Sequence, residues 1–276
     1  MKRYKMFFLK SAWVLLGALL TFPSLRAEQP PMKLWYTQPA RHWMTSALPI
    51  GNGELGALFF GGIESERLQF NEKTLWTGSE TKRGAYQSFG DLYIDFANHK
   101  GKATGYLREL CLDNAIGTVT YEMNGVKYHR EYFASYPDGV LAVRITTPGT
   151  KGCLGLSIRL EDPHSGKLSI EKNEFGIQGK LDLLSYEARV KVLHEKGKLS
   201  ATTDRIAVDG ADEVTILLIA GTNFDLSSAN YLGASAERLH KLLQTRLNKA
   251  SRKKYETLKR AHVEDYQSLF GRVKLD

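Results

Sequence analysis

Six residues near the N-terminus, Gly51-Asn52-Gly53-Glu54-Leu55-Gly56, spell G-x-G-x-x-G, the spacing of a loop that cradles a pyrophosphate. That chemistry makes demands on the flanking chain. The loop has to follow a strand and open a helix whose first N–H groups hold the phosphates, with an acidic residue about 20 positions on. Pro49, just before the loop, makes a poor buried parallel strand. Gly61 and Gly62 follow it, and each costs a helix interior about 1 kcal/mol. Leu68 and Phe70 then alternate with polar neighbours, as in a strand. Glu72 stands near the required distance, but nothing after the loop reads as a helix. The glycines therefore predict a tight turn leading into a β-hairpin, with the Asn52 amide placed to bridge backbone groups.

Carboxylates offer a second chemistry. An inverting hydrolase that attacks a sugar with water holds two carboxyl groups about 6.5–9.5 Å apart, one as acid and one as base. The candidates are Glu54, Glu72, Asp91, Asp95, Glu161, Asp162, Glu264 and Asp265. Glu72 in "FNEKTLW" and Asp91 in "FGDLY" are the most site-like, because each is set among aromatic residues. A carboxylate that anchors a turn is the plainer reading at both. Glu264 and Asp265 have charged neighbours on a helical stretch and read as solvated. The seven histidines form no H-E-x-x-H and no paired spacing for zinc. No G-x-S-x-G elbow or other nucleophilic motif appears. Neither a metal nor a cofactor is expected, and no residue is assigned as catalytic.

Both ends of the chain carry information. Residues 1–27 run from a basic start (Lys2, Arg3, Lys5) through an apolar stretch to Thr21, Pro23 and Ser24, the order of a cleaved secretory leader. The apolar run from Ser11 to Phe22 is about half the ~20 residues of a spanning helix. A secreted or periplasmic protein with no membrane span after cleavage is expected. Removing the leader lowers the formal charge from +8 to +3, too little for a nucleic-acid-binding face. Cys111 and Cys153 could meet in such a compartment, but their apolar settings favour buried free thiols.

The elements that must position these residues fall into two regimes. From Ala57 to Thr222 short alternating runs follow one another, broken by turn signals such as Pro137-Asp138-Gly139 and Asp209-Gly210. The clearest is "TVTYEMNGVKYHREYF", where Asn124-Gly125 predicts a type I′ hairpin turn. Many short strands with no intervening helices indicate a large antiparallel β-sandwich. A helical turn or two is expected near "GYLRELCLDNA". From residue 230 onward the spacing of Leu239, Leu242, Leu243 and Leu247, then of Tyr255, Leu258, His262, Tyr266 and Leu269, predicts two helices. They break near Lys249-Ala250-Ser251 and lead to an extended exit at "RVKLD". The expected domains are a leader at 1–27, a β-sandwich at 28–229 and a helical linker at 230–276, read as a connector to an absent domain.

"LWYTQPARHWMTSALPIGNGELGALFFGGIESERLQFNEKTLWTG" closely resembles the opening of glycoside hydrolase family 95, the α-L-fucosidase family, which also includes some α-L-galactosidases. "FGDLYIDF", "YLRELCLDNAIGTVTYEMNGVKYHREYFASYPDGVLAVR" and "HVEDYQSLFGRVKLD" extend the resemblance over the whole chain after the leader. It implies a β-sandwich (a supersandwich), a helical linker, an (α/α)6 catalytic barrel and a C-terminal β-domain, which together remove terminal α-L-fucose with inversion. The family's catalytic groups lie in the barrel, and no position here matches them. The resemblance thus implies a non-catalytic N-terminal domain whose partner is a barrel normally in the same chain. A free-standing carbohydrate-binding module for fucosylated glycans is the alternative. Trp35, Trp43 and Trp76 are candidates for the rim of a sugar site, since sugar rings pack on such faces, or for contact with the barrel. Asn52, Asn71 and Glu72 are candidates beside them. Tryptophans buried in the sandwich or against the barrel are the plainer reading.

Overall fold

The computed structural model describes residues 31–273 apart from Glu80 and Asn98, so the expected leader lies outside the described residues. The strands in chain order are β1 (Lys33–Tyr36), β2 (Leu48–Gly51), β3 (Leu55–Phe59), β4 (Ser65–Glu72), β5 (Gly90–Phe96), β6 (Thr104–Cys111), β7 (Ile116–Met123) and β8 (Val126–Ser135). They continue with β9 (Val140–Thr146), β10 (Leu154–Glu161), β11 (Lys167–Glu171), β12 (Glu174–Leu181), β13 (Leu184–Glu195), β14 (Lys198–Ala201), β15 (Ile206–Ala211) and β16 (Glu213–Thr222). Helices α1 (Ala236–Ser251) and α2 (Tyr255–Phe270) follow.

The strands form two antiparallel sheets. One has nine strands in the order β1-β6-β7-β8-β9-β16-β13-β12-β11, and the other has seven, β14-β15-β10-β5-β4-β3-β2. β5 shows the reason for this layering. Leu92, Ile94 and Phe96 face inward while Asp91, Tyr93 and Asp95 face outward, as period two requires. Its inner residues meet Val119, Tyr132, Val143 and Ile216 of the larger sheet in a shared core. The protein is thus a β-sandwich with two helices after it.

The central strands of the larger sheet are buried on both faces. Phe133, Ala142, Leu217 and Ile219 point away from the sandwich core and pack against Leu239, Leu243, Leu247, Tyr255 and Leu258 of the helices. That is why "EVTILLIAG" reads as a continuous apolar run rather than an alternating one. Ser235 caps α1 by accepting a hydrogen bond from the Arg238 N–H at 3.4 Å. The helices break at Arg252–Lys254, later than the sequence suggested, because Ala250 is still buried against the sheet. Among the described residues no helix is long and apolar enough to cross a membrane.

Asn124 and Gly125 take φ of 53° and 77°, and the β7–β8 hairpin closes on them with Met123 opposite Val126. The helical turns expected in "GYLRELCLDNA" are not there. That segment is β6, paired with β1 and β7. Arg108 and Leu110 both point inward, and the charge on Arg108 conceals a period-two pattern. Cys111 and Cys153 are free and half-buried, in the larger sheet and just before β10 of the smaller sheet respectively. The extended exit expected at "RVKLD" falls largely outside the described residues; Gly271 and Arg272 form a turn.

Candidate functional site

The G-x-G-x-x-G residues form a β-hairpin. Gly51 ends β2 and pairs with Gly56 of β3, leaving Asn52, Gly53 and Glu54 as the turn. Gly53 takes φ +86°, the left-handed conformation that a side chain disfavours. Asn52 does the bridging: its Oδ1 accepts from the N–H groups of Glu54 (3.0 Å) and Leu55 (2.8 Å). Its Nδ2 donates to the Ser135 carbonyl at 3.0 Å, tying the turn to the larger sheet. A strand follows the loop where a phosphate site needs a helix, so the nucleotide reading ends here.

Beside this turn lies an open cleft of about 940 Å³. Its floor is the outward face of β2, β3 and β4, where pairing sets Gly51, Gly56 and Asn71 in one row and Pro49, Leu58 and Gln69 in the next. Trp43, which precedes β2, and Tyr86, which precedes β5, also line it. Both rings are open to solvent, with 46% and 62% exposure. Asn71 Oδ1 accepts from the Glu72 N–H at 2.9 Å, while its Nδ2 has no partner among the described residues.

Glu72 lines the cleft but is committed to the fold. Its Oε2 accepts from the Thr74 N–H (2.9 Å) and hydroxyl (2.5 Å), and that hydroxyl meets Thr222 Oγ1 on the larger sheet at 2.5 Å. Burial raises the Glu72 pKa, and the Thr74 bonds and Lys73 oppose the rise. This is the turn anchor that the sequence favoured. Glu54, also at the cleft, is exposed and lies 3.8 Å from Lys73 Nζ.

Trp35, Trp43 and Trp76 do not fill the sandwich. Trp76 stacks on Tyr86 with ring centroids 4.2 Å apart and braces it. Trp35, 62% exposed, sits on β1 at the edge of the other sheet and takes no part in the cleft. Each lies on an edge strand or a connecting segment, and the core between the sheets is filled by Phe, Tyr and aliphatic residues instead. The structure therefore brings Trp43, Asn71 and Glu72 together, with Asn52 holding the adjacent turn and Trp76 behind Tyr86. Sequence reasoning missed Tyr86 and Gln69. The signal for Tyr86 was an aromatic residue isolated in the polar stretch "TKRGAYQS".

Of the remaining candidates, Asp91, Asp95, Glu161, Asp162 and Glu264 have side-chain partners. Asp91 receives both Nε (2.8 Å) and Nη2 (2.9 Å) of Arg67. Asp95 and Glu161 share Arg159. Asp162 accepts from the Tyr186 hydroxyl at 2.6 Å and from the Gly166 N–H at 2.5 Å. Glu264 lies 3.9 Å from Arg260 on the exposed side of α2, and Asp265 accepts from Ser268 through its carbonyl. Among the described residues no group of three or more His, Cys, Asp or Glu side chains is arranged to hold a metal ion.

Comparison with known proteins agrees with this architecture. Residues 34–85 and 79–227 match the model of the glycosyl hydrolase family 65 N-terminal domain. The chain belongs to that N-terminal domain family. The sequence is 28% identical over 310 residues to α-L-fucosidase 2 of Arabidopsis thaliana, covering 89% of this chain and 36% of that protein. It is 26% identical over 302 residues to the probable α-fucosidase A of Aspergillus niger, covering 88% and 37%. These relatives bear out the resemblance to the α-L-fucosidase family, and they are much longer than this domain. In fold it is similar to a putative kojibiose phosphorylase from the human microbiome, with a TM-score of 0.54 at 12% identity, covering 87% of this chain and 39% of that one.

Proposed function

We propose that this chain is the non-catalytic N-terminal β-sandwich domain of a secreted or periplasmic α-L-fucosidase-like glycoside hydrolase that acts on fucosylated glycans. The commitment of its carboxylates carries the reading. Glu72 is held by Thr74, Asp91 by Arg67, Asp95 and Glu161 by Arg159, and Asp162 by Tyr186. An acid and a base facing each other across a sugar are not found among the described residues. The domain's work is then mechanical: it packs beside an (α/α)6 catalytic barrel and presents the β2–β4 cleft at that junction. The relatives, of which this chain spans 36% and 37%, have the length for such a barrel. Export follows from the order of basic, apolar and small polar residues in 1–27. The decisive assay is hydrolysis of an aryl α-L-fucoside by the purified chain. No turnover is expected, and sustained turnover would overturn the reading. The exposed aromatic rings of Trp43 and Tyr86 favour a second one, a carbohydrate-binding module that works without a barrel.

A further inference from the structure

The cleft floor contains two glycines that the fold does not require. Gly51 and Gly56 are cross-strand partners on the outward face, and neither has a positive φ. A Cβ on Gly51 would find its nearest neighbour, the Leu55 carbonyl oxygen, at 3.6 Å; on Gly56 the nearest is the Ile50 carbonyl oxygen at 3.5 Å. Both are ordinary contacts. Elsewhere the need is plain: Gly53 has φ +86°, and a Cβ on Gly117 would lie 2.5 Å from the Phe59 ring. A strand glycine without internal cause forfeits strand stability and marks the close approach of something outside the strand.

The surroundings say what approaches. Neutral amides stand beside the bare patch: among the described residues neither Asn71 Nδ2 nor Gln69 Oε1 makes a hydrogen bond. Trp43 and Tyr86 offer ring faces, and Tyr86 is stiffened by Trp76. The nearby charges, Glu54 and Lys73, offset one another at 3.8 Å. A ligand that suits this lining is uncharged, rich in hydroxyl groups and apolar on one face. We propose that the Gly51–Gly56 patch is the floor of a saccharide subsite, on which a pyranose ring lies flat against the backbone, its C–H face toward Trp43 or Tyr86 and its hydroxyls toward Asn71 and Gln69. The choice of α-L-fucose as that pyranose rests on the fucosidase-like reading above; the subsite itself rests on the glycines.

The test uses the full chain, with methyl α-L-fucoside and 2′-fucosyllactose as probes and lactose as the unfucosylated control. Saturation-transfer NMR and calorimetry should show binding of both fucosides by the native protein. Gly51→Thr and Gly56→Thr fill the floor and suit a strand, so each should weaken binding at least tenfold while the melting temperature holds or rises. Trp43→Ala, at an exposed position, should weaken binding without unfolding the protein. A folded native chain that binds neither fucoside, or floor-filled variants that bind as well as the native protein, would overturn the subsite. Equal binding of lactose would overturn the choice of fucose. None of these results touches the non-catalytic reading, which falls only to turnover of the aryl fucoside.

Discussion

Glu66 of β4 and Arg130 of β8 form an ion pair across the sandwich, 3.1 Å apart, with both side chains fully buried. Each charge is further surrounded by hydrogen-bonding groups. Glu66 accepts from the N–H groups of Phe60 (3.0 Å) and Gly61 (2.8 Å) and from the Tyr132 hydroxyl (2.8 Å). Arg130 donates to the Gly62 carbonyl at 2.6 Å and to Tyr121, and it lies over the Phe96 ring. Burial disfavours the Arg130 charge, but Tyr121, Tyr132 and Glu66 outweigh it and hold the guanidinium protonated. Glu66→Ala strands that charge in a dry core and should cost about 3–5 kcal/mol. Combining Glu66→Leu with Arg130→Met should recover much of the loss. Urea denaturation of the three proteins reads both outcomes.

The turn beside the cleft gives a smaller, sharper test. Asn52→Ala removes two accepted hydrogen bonds and the donated bond to Ser135. A loss of about 1–3 kcal/mol is expected, since the Ser135 carbonyl and the turn N–H groups lose their partner. Trp35→Ala should change stability by less than about 0.5 kcal/mol, because its ring is mostly in solvent. Thermal melts of the two variants should separate clearly.

Helix docking can be probed from α1. Leu247 is fully buried between α1 and the outer face of the larger sheet. Leu247→Ala should cost about 2–5 kcal/mol. The loss should be read locally: hydrogen exchange rises along α1 and α2 before it rises in β5 and β10, which belong to the inter-sheet core.

Acid should release the same helices. Burial pushes the Glu131 pKa up, but Lys259 Nζ at 2.5 Å and the Tyr255 hydroxyl at 3.0 Å, both from α2, outweigh it and leave the value lowered. His262 on α2 is also lowered: burial outweighs the pull of the Asn114 and Ala134 carbonyls. Below the ordinary imidazole value of 6.5 the unfolded chain takes up a proton that buried His262 resists. Below 4.5 the same holds for Glu131. Stability should therefore fall as the pH drops through 6.5 and fall further below 4.5. Hydrogen-exchange protection on α2, measured relative to the intrinsic exchange rate at each pH, should fall from pH 7.5 to 5.5 to 4, and Glu131→Gln should remove the lower step.

Local signals in the sequence were strong where one face of an element is simple. Asn124-Gly125 specified its hairpin, β5 its alternation, and Leu239, Leu243 and Leu247 the buried stripe of α1. They failed where charge points inward. Arg108 made β6 look helical, and the partnership of Glu66 with Arg130 joins residues 64 positions apart with nothing local to announce it. Strand order is equally nonlocal: β9 lies beside β16 because their apolar faces fit, across more than sixty intervening residues. In the cleft, Trp43, Asn71 and Glu72 were recognisable by residue type, within the stretch that resembles the α-L-fucosidase family. Tyr86 and the Gly51–Gly56 floor needed the register of three strands.

One feature of the turn reaches further than its own stability. Asn52 is bonded to the carbonyl of Ser135, the Ser135 hydroxyl donates to Asp138 at 3.1 Å, and Asp138 pairs with Lys253 at 2.5 Å in the corner between α1 and α2. Three polar links thus run from the helical corner to the rim of the cleft along the sandwich's end, bypassing its apolar interior. A change at that corner has a hydrogen-bonded route to the glycine turn that is separate from the apolar core. The domain has a tendon as well as a body.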